Sequence, residues 1–141
     1  MFKLIRARRK NGERGQALVE FTLLVPIFLL LLFAIIDFGM GFYSWISVTN
    51  GAREGARLGA VLATQTEIED RVYQTVNLPN EATKMTVTVT NAQGQPGESV
   101  VVEVDYDYDL ITPLAGIVSF MSGDVIGPTL TFSSTAEMRL E

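Results

Sequence analysis

The sequence predicts an α+β protein in which one long N-terminal hydrophobic helix packs on a small C-terminal antiparallel sheet of about three strands. Two observations predict this architecture. Residues 17–36 are apolar apart from one carboxylate, and small residues recur with helical spacing beyond them. From residue 84 onward, apolar and polar residues alternate as in half-buried strands. The chain thus divides into a basic leader (1–15), a transmembrane and extended helix (16–64) and a small α+β globular domain (65–141).

The apolar segment from Ala17 to Ile36 has the length of a transmembrane helix. A helix of this length spans about 30 Å, which matches the hydrocarbon core of a bilayer. Basic residues precede the segment, and no Lys, Arg or His lies between Gln16 and Ala52. By the positive-inside rule, the N-terminus stays in the cytoplasm and the rest of the chain lies outside the cytoplasmic membrane. The basic residues of the leader are Lys3, Arg6, Arg8, Arg9, Lys10 and Arg14.

Glu20 is the one charged residue of this segment. A carboxylate at the centre of a membrane helix costs about 2.5–3.5 kcal/mol, so it usually marks a function or a paired cation. Cleavage after Gly15 would create an α-amine at Gln16, and Glu20 would become the fifth residue of the mature chain. Two other interpretations remain open. One is a signal anchor whose Glu20 reaches the headgroups, and the other is a secretory signal peptide cut at Gly39-Met40-Gly41.

Gly15, Gln16, Glu20 and Phe21, set between a basic leader and a long apolar run, resemble the prepilin-peptidase site of the type IV pilin superfamily. With the later segment GAREGAR (51–57) and the strand-rich end, they resemble more specifically the TadE-like pseudopilins, minor pilins of tight-adherence (Flp/Tad) pilus systems. This resemblance covers most of residues 14–62. It implies a pilin-like fold and cleavage between Gly15 and Gln16 by a prepilin peptidase.

The resemblance also implies partners and a role. The partners are the lipid bilayer, other pilins or pseudopilins, and the Tad assembly machinery, all contacted through the N-terminal helix. Glu20 is expected to meet an N-terminal amine, its own or a neighbour's. The subunit would move from the cytoplasmic membrane to the pilus on the cell surface and contribute to pilus assembly and adhesion. The alternative is an uncleaved single-pass anchor that exposes a binding domain outside the membrane.

Small residues recur every fourth position on the predicted extension of the helix. They are Gly51, Gly55 and Gly59, with Ala52, Ala56 and Ala60 beside them. Such a smooth face lets another backbone approach closely. It suits packing on the chain's own sheet and contact between subunits equally well. Arg53, Glu54 and Arg57 form a charged edge nearby, and the resemblance makes them candidate assembly contacts.

The C-terminal region is predicted to contain one short helix and three strands. A capping box at Thr66–Glu69 opens a helix that places Ile68, Val72 and Val76 on one face. Alternation then predicts strands at 84–90, 99–110 and 129–141, with a turn at 91–97. The connection Ile111–Pro128 is too apolar for a solvated loop, so we expect a short helix or an exposed interaction patch there.

Composition argues against several function classes. The chain has no His or Cys, no G-x-S-x-G elbow and no P-loop, which predicts neither an enzyme nor a cofactor site. Beyond the leader, five basic residues face fifteen acidic ones, so nucleic-acid binding is not expected. A row of carboxylates on one strand suggests Ca²⁺, but same-face residues stand about 7 Å apart, and a charged outer face is favoured over a metal site. The row is Glu103, Asp105, Asp107 and Asp109.

Overall fold

The computed structural model describes residues 9–123 and 129–141, with side chains from residue 15 onward. It confirms the predicted α+β architecture. The helices are α1 (Arg9–Gly59), α2 (Gln65–Thr75), α3 (Glu81–Lys84) and α4 (Leu114–Ser122). The strands are β1 (Met85–Thr90), β2 (Ser99–Asp109) and β3 (Thr129–Arg139), and they form one antiparallel sheet in the order β1-β2-β3.

Helix α1 is one unbroken helix of 51 residues that runs through Pro26. Within the described ranges, it is the helix long and apolar enough to cross a membrane. It ends at Gly59, before the predicted boundary at residue 64, because the amides of Val61 and Leu62 bond three residues back instead of four. Leu62 N–H donates to the carbonyl of Gly59 at 3.0 Å, and Leu62 itself takes the left-handed conformation (φ 62°).

Helix α2 begins with a capping box two residues earlier than the sequence predicted. Thr64 is the N-cap: its Oγ accepts the N–H of Glu67 at 3.4 Å, and a Glu67 carboxylate oxygen accepts the N–H of Thr64 at 2.9 Å. The assignment to Thr66 was therefore wrong, because the T-x-x-E spacing starts at Thr64. The predicted apolar face is confirmed, since Ile68, Val72 and Val76 are buried.

Alternation along β2 buries the predicted face of the sheet. Its buried residues are Val100, Val102, Val104, Tyr106 and Tyr108. On β3, Phe132 is half-buried, whereas Leu130 remains 45% exposed; Leu140, just after the strand, is buried. Leu130 pairs with Tyr108 at the end of the sheet, where it borders an open groove beside α1.

The sheet has a defined direction relative to α1. Val100, at the start of β2, contacts the face of Gly59, and Val102 contacts the face of Gly55. Tyr108, near the end of β2, donates its hydroxyl to the carbonyl of Asp37 at 3.4 Å. Strand β2 therefore runs from the C-terminal end of α1 toward its apolar N-terminal half.

The connection after β2 contains a short helix, one of the two alternatives expected from its composition. Helix α4 occupies Leu114–Ser122, and it leaves Phe120 and Met121 largely exposed. The last part of the predicted connection, 124–128, lies outside the described residues.

Candidate functional site

The apolar half of α1 projects away from the globular domain. Most of its side chains are exposed, including Leu18 (66%) and Ile27 (65%), and Val25, Leu30 and Phe33 are half-buried. No residue of the most apolar stretch is buried against the rest of the described chain. Exposing so many large apolar side chains to water is unfavourable, so this surface requires lipid or other apolar helices around it.

Gly15, Gln16, Glu20 and Phe21 lie together on the first exposed turns of this helix. The Gln16 side-chain amide donates to the Glu20 carboxylate at 2.9 Å, one helical turn away. Glu20 and Phe21 are both exposed, and a Cβ added at Gly15 would meet nothing within 4 Å. Among the side chains described from residue 15 onward, no cation pairs with Glu20.

Asp37 marks the point where α1 enters the globular domain. Its side chain is 3% exposed, and one carboxylate oxygen accepts the backbone N–H groups of Ile111 (3.0 Å) and Thr112 (3.3 Å). The other oxygen accepts the hydroxyl of Thr112. These bonds satisfy a buried charge and attach the segment before α4 to the helix.

Asp37 is not among the site residues that the sequence motifs predict. A signal was present, because Asp37 lies in helical register with the residues of α1 that the domain buries. These are Gly41, Ser44, Val48, Gly51, Ala52, Gly55, Ala56 and Gly59. A carboxylate on a buried face requires hydrogen-bond donors from the packed domain.

The small-residue stripe packs within the chain. A Cβ at Gly51 would lie 2.4 Å from Val76 Cγ2, and one at Gly55 would lie 2.6 Å from Val72 Cγ2. At Gly59 it would meet Val100 at 3.0 Å. Ala52 and Ala56 are fully buried, while Ala60 is half-buried. Of the two interpretations left open by the sequence, the structure places these residues against α2 and β2 of the same subunit.

The charged edge lies on the opposite side of this stretch. Glu54 contacts Arg57 at 3.8 Å and Arg71 of α2 at 3.4 Å, and all three side chains are partly or largely exposed. Arg53 is also exposed. Exposed pairs of this kind contribute little to stability, typically about 0–1 kcal/mol, which leaves the charges available to a partner.

The acidic row on the outer face of β2 takes part in cross-strand hydrogen bonds. Asp109 accepts from the Thr129 hydroxyl at 2.7 Å and from the Lys84 ammonium group, and Asp107 accepts from the Thr131 hydroxyl at 2.6 Å. The bond from Lys84 lowers the pKa of Asp109, and that from Thr129 lowers it further. Within the described ranges, no three His, Cys, Asp or Glu residues are placed to hold a metal ion.

An apolar groove of about 240 Å³ lies next to Asp37, between α1 and the end of the sheet. Residues of α1 form one wall, and Leu114 and Leu130 contribute to the other. Two aromatic side chains of α1 that line it, Phe38 and Phe42, contact each other edge to face, with centroids 5.1 Å apart. Aromatic residues just beyond a membrane helix commonly lie at the lipid headgroups.

A small α+β domain carried on one long, uncovered apolar helix defines a membrane-anchored protein. Residues 15–57 match the family model of the TadE-like proteins. The matched segment begins at Gly15 and includes Glu20, the apolar run and the GAREGAR motif, so the resemblance seen in the sequence is confirmed over this range and the segment is TadE-like. Searches of curated proteins and of solved structures gave no match.

Proposed function

We propose that this protein is a pseudopilin or minor pilin of a Tad-type pilus. In this role a prepilin peptidase cuts it between Gly15 and Gln16, and its helix then packs with other pilins during pilus assembly and surface adhesion. The observation that carries the proposal is the exposed Glu20 carboxylate, hydrogen-bonded to Gln16 on the apolar half of α1, which nothing else in the described chain covers. The protein would be the peptidase's substrate and not an enzyme.

The contact between Gln16 and Glu20 explains what cleavage would achieve. In the intact chain, Gln16 offers Glu20 only a neutral amide donor. Cleavage would turn the backbone nitrogen of Gln16 into an ammonium group within one helical turn of the carboxylate. An amine from a neighbouring subunit would serve equally well. Pairing would remove the cost of an isolated charge in an apolar environment and would set the axial register between helices.

The globular domain supports export with α1 attached. Asp37 and the buried face that follows it are integral to the domain's packing. A secretory signal peptidase cutting at Gly39-Met40-Gly41 would remove Asp37 and leave the N–H groups of Ile111 and Thr112 without their acceptor. The proposed orientation has the leader in the cytoplasm, a single membrane pass and the domain outside, before incorporation into the pilus.

One observation favours the alternative of an uncleaved anchor. The Gly15–Gln16 bond lies inside α1, whose helix begins at Arg9, so the peptidase must act on a site that is helical in the uncut chain. Gly15 lowers the cost of opening that turn, because glycine is about 1 kcal/mol less favourable in a helix than alanine.

The N-terminus of the protein from membranes of its native host tests the proposal. We expect intact mass and N-terminal peptide mapping to give a chain that begins at Gln16. Gly15→Ala should abolish this processing without disturbing the fold, since the added methyl group meets nothing within 4 Å.

Gly39→Ala is the matched control. It adds the same methyl group to the same helix, also in open space, and processing at Gln16 should continue. A wild-type chain that retains Met1 in a host with an active peptidase would contradict the proposal and support the uncleaved anchor. A chain that begins near Phe42 would instead indicate an ordinary secreted domain.

A further inference from the structure

The described part of the connection between β2 and β3, residues 110–123, lies at the end of the globular domain nearest the apolar half of α1. Strand β2 runs toward that half of the helix, because Val100 packs at Gly59 while Tyr108 reaches Asp37. Strand β3 is antiparallel to β2 and runs back. The connection between them therefore leaves and rejoins the sheet on the side where α1 enters the membrane.

Between Asp109 and Asp124, the connection itself is uncharged and largely apolar. Residues 110–123 contain no Asp, Glu, Lys or Arg. Phe120 and Met121 on α4 are 89% and 80% exposed, and Ile111 is 62% exposed. The turn between β1 and β2, at the opposite end of the sheet, is polar (NAQGQPGE, 91–98). The apolar connection and the polar turn therefore lie at opposite ends of the sheet.

Asp37 fixes the position at which α4 begins along the axis of α1. Its carboxylate holds Ile111 and Thr112, three and two residues before α4 begins. Leu114 borders the apolar groove together with Ala34, which belongs to the last turns of the predicted span. The helix α4 therefore starts at the level where the apolar segment of α1 ends, next to the aromatic residues Phe38 and Phe42.

We propose that α4 lies in the outer-leaflet interface of the phospholipid bilayer and inserts Phe120 and Met121 at the boundary between headgroups and acyl chains. The occupant is lipid because α4 begins at the groove where the exposed apolar surface of α1 ends, and because α4 itself exposes large apolar side chains there. At nine residues, α4 is roughly 13 Å long and too short to span the bilayer, so it lies along the surface. This inference rests on the membrane-anchored state in the proposed function.

A second membrane contact would fix the tilt of the globular domain on the bilayer before assembly. A domain held only by α1 can rotate about the helix axis and lean in any direction. With α4 inserted, the charged edge of Arg53, Glu54 and Arg57 would be presented at a constant height and orientation. Withdrawal of α4 would then accompany the extraction of the subunit from the membrane.

Site-directed spin labelling tests this placement on the full-length chain. The protein has no cysteine, so single-cysteine variants need no background mutations. Phe120→Cys and Met121→Cys would be labelled with a nitroxide and reconstituted in phosphatidylcholine–phosphatidylglycerol vesicles. Ile27→Cys, in the apolar helix, is the lipid reference, and Gln95→Cys, at the exposed polar turn, is the water reference.

The measurement compares the accessibility of each label to oxygen, which concentrates in lipid, and to a nickel chelate, which stays in water. We expect the labels at positions 120 and 121 to favour oxygen, at a depth of about 5–10 Å in the interface. Position 27 should favour oxygen more strongly, and position 95 should favour nickel.

Three results would overturn the inference. Labels at 120 and 121 that behave like the one at 95, while 27 favours oxygen, would leave α1 inserted and α4 in water. Shielding from both reagents, with spin–spin broadening that disappears on dilution with unlabelled protein, would assign the patch to a second copy. A label at 27 that favours nickel would contradict the membrane anchoring itself, and with it the proposed function.

Discussion

Asp37 and Thr112 are joined by two hydrogen bonds although 75 residues separate them in the chain. The Thr112 backbone N–H and hydroxyl both donate to the Asp37 carboxylate. Ile111 adds a third bond from its N–H group. Through these contacts, the first buried residue of α1 holds the segment that leads into α4, and one carboxylate couples the membrane helix to the base of the domain.

We expect Asp37→Ala to destabilise the globular domain by about 1–3 kcal/mol, because it leaves two N–H donors without an acceptor. Asp37→Asn should cost less, since it keeps one carbonyl acceptor. Urea unfolding in detergent, followed by the fluorescence of Trp45, would measure the change. Hydrogen exchange at Ile111 and Thr112 should accelerate in parallel. Asp70→Ala, at an exposed site on α2, is the control, and equal effects of the two alanine variants would contradict the proposed coupling.

Gly55→Ala and Gly39→Ala should change stability in opposite directions. Alanine favours a helix over glycine by about 1 kcal/mol at either site. At Gly55 the new methyl group would lie 2.6 Å from Val72 Cγ2 and 3.2 Å from Val102, both buried and β-branched, so strain of about 1–3 kcal/mol should outweigh the gain. At Gly39 there is open space and only the gain remains.

Urea unfolding in detergent, followed by the fluorescence of Trp45, also measures the stability of Gly55→Ala and Gly39→Ala. A stabilised Gly55→Ala variant would show that the contact between α1 and α2 is loose enough to admit a methyl group. The small-residue stripe would then again be a candidate for contact between subunits.

The stability of the domain should fall at alkaline pH because of Tyr106 and Tyr108. Burial is the main cause that raises the pKa of both phenols above the ordinary value, and the nearby Asp37 carboxylate raises that of Tyr108 further. In the unfolded chain both ionise near pH 10. The contribution of the two phenols to the free energy of unfolding is therefore fully present below about pH 10. It is lost as the pH rises through their raised folded-state pKa values, because the unfolded state releases its protons first.

Unfolding free energies measured between about pH 8 and pH 11 should show this decline, which Tyr106→Phe and Tyr108→Phe should each reduce. At neutral pH the two variants should lose about 1 kcal/mol, since each removes a hydroxyl bond, to Pro79 or to Asp37. A decline as steep in the double variant as in the wild type would rule out these phenols as its source.

Glu20→Gln should reduce incorporation into pili without changing the stability of the globular domain. Glu20 is exposed and its bond to Gln16 can be kept by a glutamine carbonyl, so the unfolding of the globular domain should not change. If the carboxylate pairs with an N-terminal amine, incorporation into pili should fall by tenfold or more, on the order of the 1.4 kcal/mol expected for a lost charge-assisted bond. Quantification of the subunit in sheared pili, relative to its amount in membranes, provides the measurement. Normal incorporation of Glu20→Gln would show that the charge has no such role.

Much of the fold was predictable because its signals are local. The continuous apolar run predicted α1, and strict alternation predicted the strands and the buried face of β2. The prediction of Thr66 as the N-cap is wrong, because Thr64 has the capping-box spacing to Glu67. The composition of the β2–β3 connection predicted either a helix or an interaction patch, and α4 is a helix that leaves Phe120 and Met121 exposed.

The sequence by itself determined the apolar anchor, the motif from Gly15 to Phe21 and the alternation of the sheet, because each depends on residues within a few positions of one another. Only the tertiary structure decided that Gly51 and Gly55 face α2, that Asp37 holds Ile111 and Thr112, and that α4 begins beside the groove next to Asp37. A helix face of small residues needs a packing partner, and a buried carboxylate needs hydrogen-bond donors. The local sequence does not indicate which distant segment provides that partner or those donors. That choice is made when the whole chain packs, since burial and hydrogen bonding depend on the three-dimensional neighbours of each residue.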